Sequence, residues 1–194
     1  TINGKIAAIS GSTIQATNNL TLGDSTSVAG FFSDGELDTG GNEVTIHDMN
    51  EAVLGSLTHL GETISGEGEG TVVPGTLTAG TADPNDTHSH FFLEQGKNIT
   101  GRGTINGHFK NHSHVIGDGP DALERIVFSA DWTVTGKGTF QNTTILGTFA
   151  PGESPAIVNG LNQAFGGTVE MELGGTTPGF GNGNHDQIND AAQI

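Results

Sequence analysis

The chain has 194 residues, 32 of them glycine, with one tryptophan, no tyrosine and no cysteine, and 22 acidic against 6 basic residues set a formal charge of −16. Lack of cysteine excludes disulfides, thiolate metal sites and a cysteine nucleophile. Lack of a basic stripe argues against nucleic acid, and no apolar run approaches the ~18 residues that span a membrane.

No window sustains apolar residues at helical spacing, whereas short apolar runs ended by Gly, Pro or Asn recur throughout, so the pattern predicts an all-β chain of many short strands. Residues 1–194 read as a single domain. Aliphatic residues are sparse for a globule of this length. A solenoid needs only a narrow core repeated coil by coil, and coils of ~20–25 residues would give about eight to ten turns in a rod roughly 40–50 Å long.

In chain order, Ile2, Ile6–Ile9, Thr13–Ala16 and Leu20–Leu22 read as strands with turns at Asn3-Gly4, Ser10-Gly11 and Asn18-Asn19. The chain begins at Thr1 with neither Met nor a leader, as expected of a processed form or an excised piece. Its first residues already look like strand, an open edge that a further coil or another copy would cover. Residues 24–82 continue with Val44–Ile46, Val53-Leu54 and Thr71–Val73 between turns at Ser33–Gly35, Thr39–Asn42 and Gly66–Gly70. The acidic glycine run Gly66–Gly70 reads as a solvated turn or as a Ca²⁺ loop, without the spacing of an EF-hand or of a glycine-rich nonapeptide repeat. No phosphate-binding or dinucleotide glycine motif is present.

His88-Ser89-His90 and His112-Ser113-His114 are two copies of one tripeptide. In a strand, residues two apart share a face, and a separation of about one coil would stack one pair on the other. Four neutral imidazoles would suit Zn²⁺, Ni²⁺ or Cu²⁺, so His88, His90, His112 and His114 form the candidate metal set. The alternative is a ladder of like side chains at a solvent-facing turn.

Asp118, Asp121 and Glu124 beside Arg125 are the densest carboxylate group, within a stretch that also reads as a plain Gly-Asp-Gly-Pro-Asp turn. No nucleophile elbow and no paired acid and base stand out, and the expectation is a protein that is not an enzyme. Five of the six basic residues, Lys97, Arg102, Lys110, Arg125 and Lys137, fall in one central segment, while residues 6–96 contain none. The acidic surface serves solubility, or it joins copies through basic patches or bridging Ca²⁺. Five glycosylation sequons begin at Asn19, Asn85, Asn98, Asn111 and Asn142. Trp132 reads as core or as an exposed platform for a sugar.

Residues 135–190 hold the most structured pattern. Thr139-Phe140, Thr143–Leu146, Ala156–Val158 and Thr168–Leu173 are short β-type runs, and the alternation Val169-Glu170-Met171-Glu172-Leu173 predicts a half-buried strand with one face on a core. Ala150-Pro151-Gly152-Glu153-Ser154-Pro155, Gly166-Gly167, Glu172-Leu173-Gly174-Gly175, Pro178-Gly179 and His185-Asp186-Gln187-Ile188 follow one another there. This segment resembles the "PGxSP … GG … ELGG … PG … D" stretch of secreted bacterial right-handed parallel β-helices, such as autotransporter passengers. Gly11–Ala16, Leu20–Asp24, Gly30-Phe31 and Leu54–Gly61 look like tandem β-helix segments of large extracellular bacterial proteins. The resemblance implies a right-handed parallel β-helix, secreted to the outside or the surface of a bacterial cell. It implies a non-enzymatic subunit or repeat of a fibre, surface layer or matrix that associates end to end through its terminal coils. An adhesin-like module binding glycans and a polysaccharide-cleaving β-helix are the alternatives that such solenoids also host.

Overall fold

The computed structural model describes residues 9–23, 34–47, 51–64, 71–80, 90–151, 157–173, 177–178 and 184–190. All regular structure among them is β, with no helix, and three long parallel sheets dominate. The first sheet runs through Thr13–Gln15, Glu36–Asp38, Leu57–Leu60, Asn98–Gly101, His114–Gly117, Thr139–Gln141, Ile157–Leu161 and Gln187–Asp190. The second runs through Leu20–Leu22, Glu43–Ile46, Gly75–Ala79, Gly103–Asn106, Ile126–Phe128, Thr143–Ile145 and Ala164–Phe165. The third runs through Ala52–Val53, Phe91–Leu93, Phe109–Asn111, Thr133–Gly136, Thr148–Pro151 and Thr168–Val169. The chain visits the sheets in that order and repeats the cycle, so each coil lies on the one before it: a β-solenoid.

Strands this short suffice because each edge is paired on both sides and each inward side chain stacks on its like. In the first sheet the inner row is Ile14, Leu37, Thr58, Ile99, Val115 and Phe140. In the second it is Val44, Leu77, Ile105, Phe128, Ile145 and Phe165. In the third, Ala52, Phe91, Phe109, Val134, Phe149 and Val169 stack in turn. Phe109, Phe128, Phe140, Phe149 and Phe165 touch successively at 5.1–5.9 Å between ring centres, an aromatic spine along the core. Each fully buried phenylalanine contributes about 1.5–3 kcal/mol of transfer free energy, and this sparse but repeated row replaces the globular core the composition lacks.

Coil length varies more than the even spacing expected. Successive register partners in the first sheet are Thr13, Glu36, Leu57, Asn98, His114, Thr139, Asn159 and Asn189. The shortest coil, Asn98 to His114, makes one of its corners with the single residue Arg102. The longest, Leu57 to Asn98, carries an antiparallel hairpin of Glu62–Ile64 with Thr71–Val73, so Thr71–Val73 is a strand outside the stack. Eight rungs at ~4.8 Å make the described stack roughly 34 Å long, shorter than expected because of that insertion.

The corner between the first and second sheets requires left-handed backbone. Asn142 (φ 50°) and Asn162 (φ 54°) adopt it, which asparagine does at low cost because its side chain bonds locally. Asn142 Nδ2 donates to the Gly117 carbonyl at 3.0 Å, and Asn162 Nδ2 donates to Asn142 Oδ1 at 3.0 Å, so consecutive corners hold each other. Arg125 completes this corner, donating to the carbonyls of Thr143 at 2.9 Å and Asn162 at 2.6 Å.

One inner position breaks the apolar row. Thr58 is fully buried between Leu37 and Ile99, and its Oγ1 has no hydrogen-bond partner. A buried unmatched hydroxyl is destabilising, whereas valine has the same shape without the polar atom. Thr58→Val is expected to raise stability by about 1 kcal/mol. An unchanged or lower urea midpoint would show that the hydroxyl is satisfied.

The alternation at residues 169–173 does not form the expected half-buried strand. The strand ends at Val169, and Val169, Met171 and Leu173 are 38%, 38% and 84% exposed. Glu172 instead turns onto Asp186, donating its N–H to the Asp186 carboxylate at 2.6 Å and accepting the Asp186 N–H at 2.9 Å. This local polar exchange outcompetes burial of three side chains by the period-two pattern.

Candidate functional site

The stacked tripeptides are not what the register builds. His88 lies outside the described residues. Phe91 pairs with Phe109, which sets His90 beside His108 rather than beside His112 or His114. His90 and His108 stand at the corner between the second and third sheets. His112 follows Asn111, at the corner between the third and first, where its N–H bonds the Leu93 carbonyl and its ring meets Phe92 edge-on at 5.0 Å. Lys110 Nζ lies over the same Phe92 ring at 5.3 Å. His114 is exposed on the outer face of the first sheet, between Asn98 and Thr139. Among the described residues no three His, Asp or Glu side chains are grouped to hold a metal.

Among the described residues His90 and His108 form the most organised polar group. They are 6% and 7% exposed, and their rings stack at 5.1 Å with 20° between planes. Trp132 lies at right angles to both, 5.8 Å from His90 and 5.3 Å from His108. The His108 N–H donates to His90 Nδ1 at 3.1 Å, and the Thr133 N–H donates to His108 Nδ1 at 2.9 Å. A backbone N–H only donates, so each Nδ1 must present its lone pair and each neutral ring carries its proton on Nε2. Neither nitrogen then has a lone pair to spare. The pair is committed to holding backbone, and its chemistry is unlike that of metal ligands.

The sequence carried a signal for this pairing that the His-Ser-His repeat concealed. The dipeptide His-Phe occurs at 90–91 and again at 108–109, and both copies place the phenylalanine inward. Trp132 is therefore neither deep core nor a free platform. It is partly buried as a cover over two imidazoles.

The carboxylates do not converge on Arg125. Asp118 Oδ2 accepts from Arg102 Nε at 2.6 Å, Asp121 closes its own turn by accepting the Glu124 N–H at 2.9 Å through its carbonyl, and Arg125 holds carbonyls instead. Residues 118–125 thus form the turn that the Gly-Asp-Gly-Pro-Asp reading describes. The Gly66–Gly70 run, the other cation candidate, lies outside the described residues. Of the sequons, Asn111 and Asn142 are buried and hydrogen-bonded to backbone, which leaves no room for a glycan in the folded chain, and Asn85 lies outside the described residues.

Lys97 reaches across to Asp34, with Nζ donating to Oδ1 at 2.9 Å. That hydrogen bond, and then the ammonium charge, hold the Asp34 carboxyl below its ordinary value. A depressed carboxylate contributes stability that is present above the unfolded-state value of ~3.9 and is lost as pH falls through the lower folded-state value. Lys97→Met is expected to return the Asp34 titration, followed by NMR, toward an ordinary aspartate. With Asp34 on the surface the stability change is small, and an unmoved titration would show that the pair does not persist in solution.

Two grooves lie on outer faces. One, of about 200 Å³, is floored by Thr104 and Val127 of the second sheet and walled by Val72 and Pro74 of the hairpin and by Ala122 and Leu123 of the 118–125 turn. The other, of about 300 Å³, lies over Thr135 and Ala150 of the third sheet beside Glu170, Glu172 and Asp186. Among the described residues no helix is long and apolar enough to cross a membrane. No family model, curated protein or solved structure matches the chain.

Proposed function

We propose that the chain is a non-enzymatic structural protein of the bacterial exterior, a right-handed parallel β-helix that serves as a subunit or repeat of a fibre, surface layer or matrix. The observation that carries the reading is where the outward polar side chains spend their hydrogen bonds. Thr13 bonds Glu36, Gln15 bonds Asp38, His59 bonds Thr100, and Glu43, Thr78, Asn106 and Ser129 form one chain across four rungs. These groups tie coil to coil along the axis. They do not gather into a cleft with an acid and a base at working distance, as a lyase or hydrolase requires.

End-to-end association has support in the charge pattern. The strands at one end of the stack, Thr13–Gln15 and Leu20–Leu22, and two of those at the other, Ala164–Phe165 and Thr168–Val169, carry no charged side chain, although the chain carries 28; the last strand of the first sheet, Gln187–Asp190, carries Asp190. Edge strands that must stay single are usually guarded by charge or proline. Negative-stain microscopy of the isolated protein, before and after a chelator, tests the reading. Long fibres support it, and their loss on chelation would assign Ca²⁺ or another cation to the contacts. Discrete monomers at high concentration would sink it.

The groove under Leu123 favours the adhesin-like alternative. Leu123 is 78% exposed and Val72 38%, an apolar wall beside Thr104. Glycan binding that is lost in Leu123→Asp would promote that reading over the structural one.

A further inference from the structure

We propose that His90 and His108 form a proton-operated latch: neutral, they lock three successive coils at the corner between the second and third sheets, and protonated, they release it. The argument rests on hydrogen-bond direction and on contact, and it is independent of the structural role proposed above.

The latch is a relay of backbone donors onto ring acceptors. His90 starts the strand Phe91–Leu93 and accepts the N–H of His108, which starts Phe109–Asn111 one coil on. His108 in turn accepts the N–H of Thr133, which starts Thr133–Gly136 on the next coil. Each bond fixes where a strand leaves the corner. An imidazolium has two N–H groups and no lone pair, so it cannot accept either amide. Protonation therefore replaces an attraction by two N–H groups pointed at each other, in a place 6–7% exposed where water cannot step in without opening the corner.

The groups facing the pair do not cancel this effect. On the preceding coil Glu51 is the register neighbour of His90, and His47 stands at the same corner, packed against Gly80. On the following coil Asp131 precedes Trp132, whose indole lies against both rings. The indole offsets some of the charge of a first imidazolium. It cannot restore the lost acceptors, and a second imidazolium in a stack of 5.1 Å adds repulsion. A proton on either ring is enough to remove an acceptor, and once the corner has opened the stack no longer opposes the second.

The molecule carries its own reporter, because Trp132 is the sole tryptophan. Its emission, followed with far-UV circular dichroism on the full chain from pH 8 to 5, is expected to change in one step while the β signal persists. In His108→Gln, whose amide oxygen accepts but does not titrate, and in His90→Gln, the step is expected to shrink or vanish. In the wild type, exchange of the His108 and Thr133 amides, normalised to intrinsic rates, is expected to speed by about tenfold at the acid end, the equivalent of one lost hydrogen bond. That measurement needs no variant, so it stands even where a substitution prevents folding. Constant emission over the range, an identical step in both variants, or undiminished protection of the two amides at pH 5 would each overturn the latch.

Discussion

Replacing Phe140 by alanine is expected to lower the unfolding free energy by about 3–5 kcal/mol, the cost of deleting a buried aromatic from a core that cannot collapse around the void. Phe140 is fully buried in the inner row of the first sheet. It touches Phe128 of the second sheet at 5.9 Å and Phe149 of the third at 5.6 Å. Like Phe128 and Phe149 in the spine, it bridges all three walls. Its register neighbour on the next coil is Gly160, which brings no side chain to fill a gap. The walls are held apart by their own ladders, so little relaxation is available. Phe165→Ala makes the control: Phe165 stacks on Phe149 at 5.4 Å but is 38% exposed, and its truncation is expected to cost only about 1–2 kcal/mol. Urea titrations give both values from the midpoint at constant slope. A loss below about 1 kcal/mol in Phe140→Ala would mean that the three sheets do not share one core.

That core was legible in outline because a solenoid writes its fold locally. Thr13, Leu20–Leu22, Val44–Ile46, Thr139-Phe140 and Thr143–Ile145 are all strands where short apolar runs ended by Gly or Asn predicted them. Each strand needs only its own period and its own turn, and both are visible in a few residues. What was not legible is which strand lies on which. Register depends on how many residues each corner consumes, and here that ranges from the single Arg102 to the whole hairpin between Leu60 and Gly75. An assumed uniform coil therefore placed His90 over His114, when a shorter coil places it beside His108.

The same limitation governed the candidate site. Residue type and an assumed coil spacing marked the histidines as metal donors, because imidazole is a good ligand wherever its lone pair is free. Whether it is free depends on the backbone N–H of the next coil, which no spacing rule reveals. The amides of His108 and Thr133, donating to the His90 and His108 rings, turn a ligand pair into a structural clamp. The carboxylates show the converse. Asp118 and Arg125 are near in sequence, yet Arg102, one coil earlier, takes Asp118, while Arg125 turns to the carbonyls of Thr143 and Asn162. In a stacked chain the neighbours that decide chemistry are one coil away.

Gly101→Ala is expected to cost about 4 kcal/mol or more, while the same change at Gly96 costs about 1–2 kcal/mol. Both glycines have left-handed backbone, with φ of 104° and 85°. Both positions disfavour an L-residue, and they differ sharply in the space they offer. At Gly96 an added Cβ meets nothing within 4 Å. At Gly101 it would stand 2.1 Å from the Leu60 carbonyl oxygen, on the adjacent strand of the first sheet. That oxygen cannot retreat freely, since it accepts the Arg102 N–H at 2.9 Å, and the Gly101 carbonyl accepts the Asp118 N–H from the other side at 3.0 Å. Relief of the collision therefore has to pull adjacent rungs away from each other at a corner of one residue, and it takes Arg102 away from Asp118 as well. Thermal and urea unfolding of the two variants side by side give the comparison. Equal losses would show that the rungs can separate at the corner without breaking, and that the tight approach of successive coils is not what fixes the register.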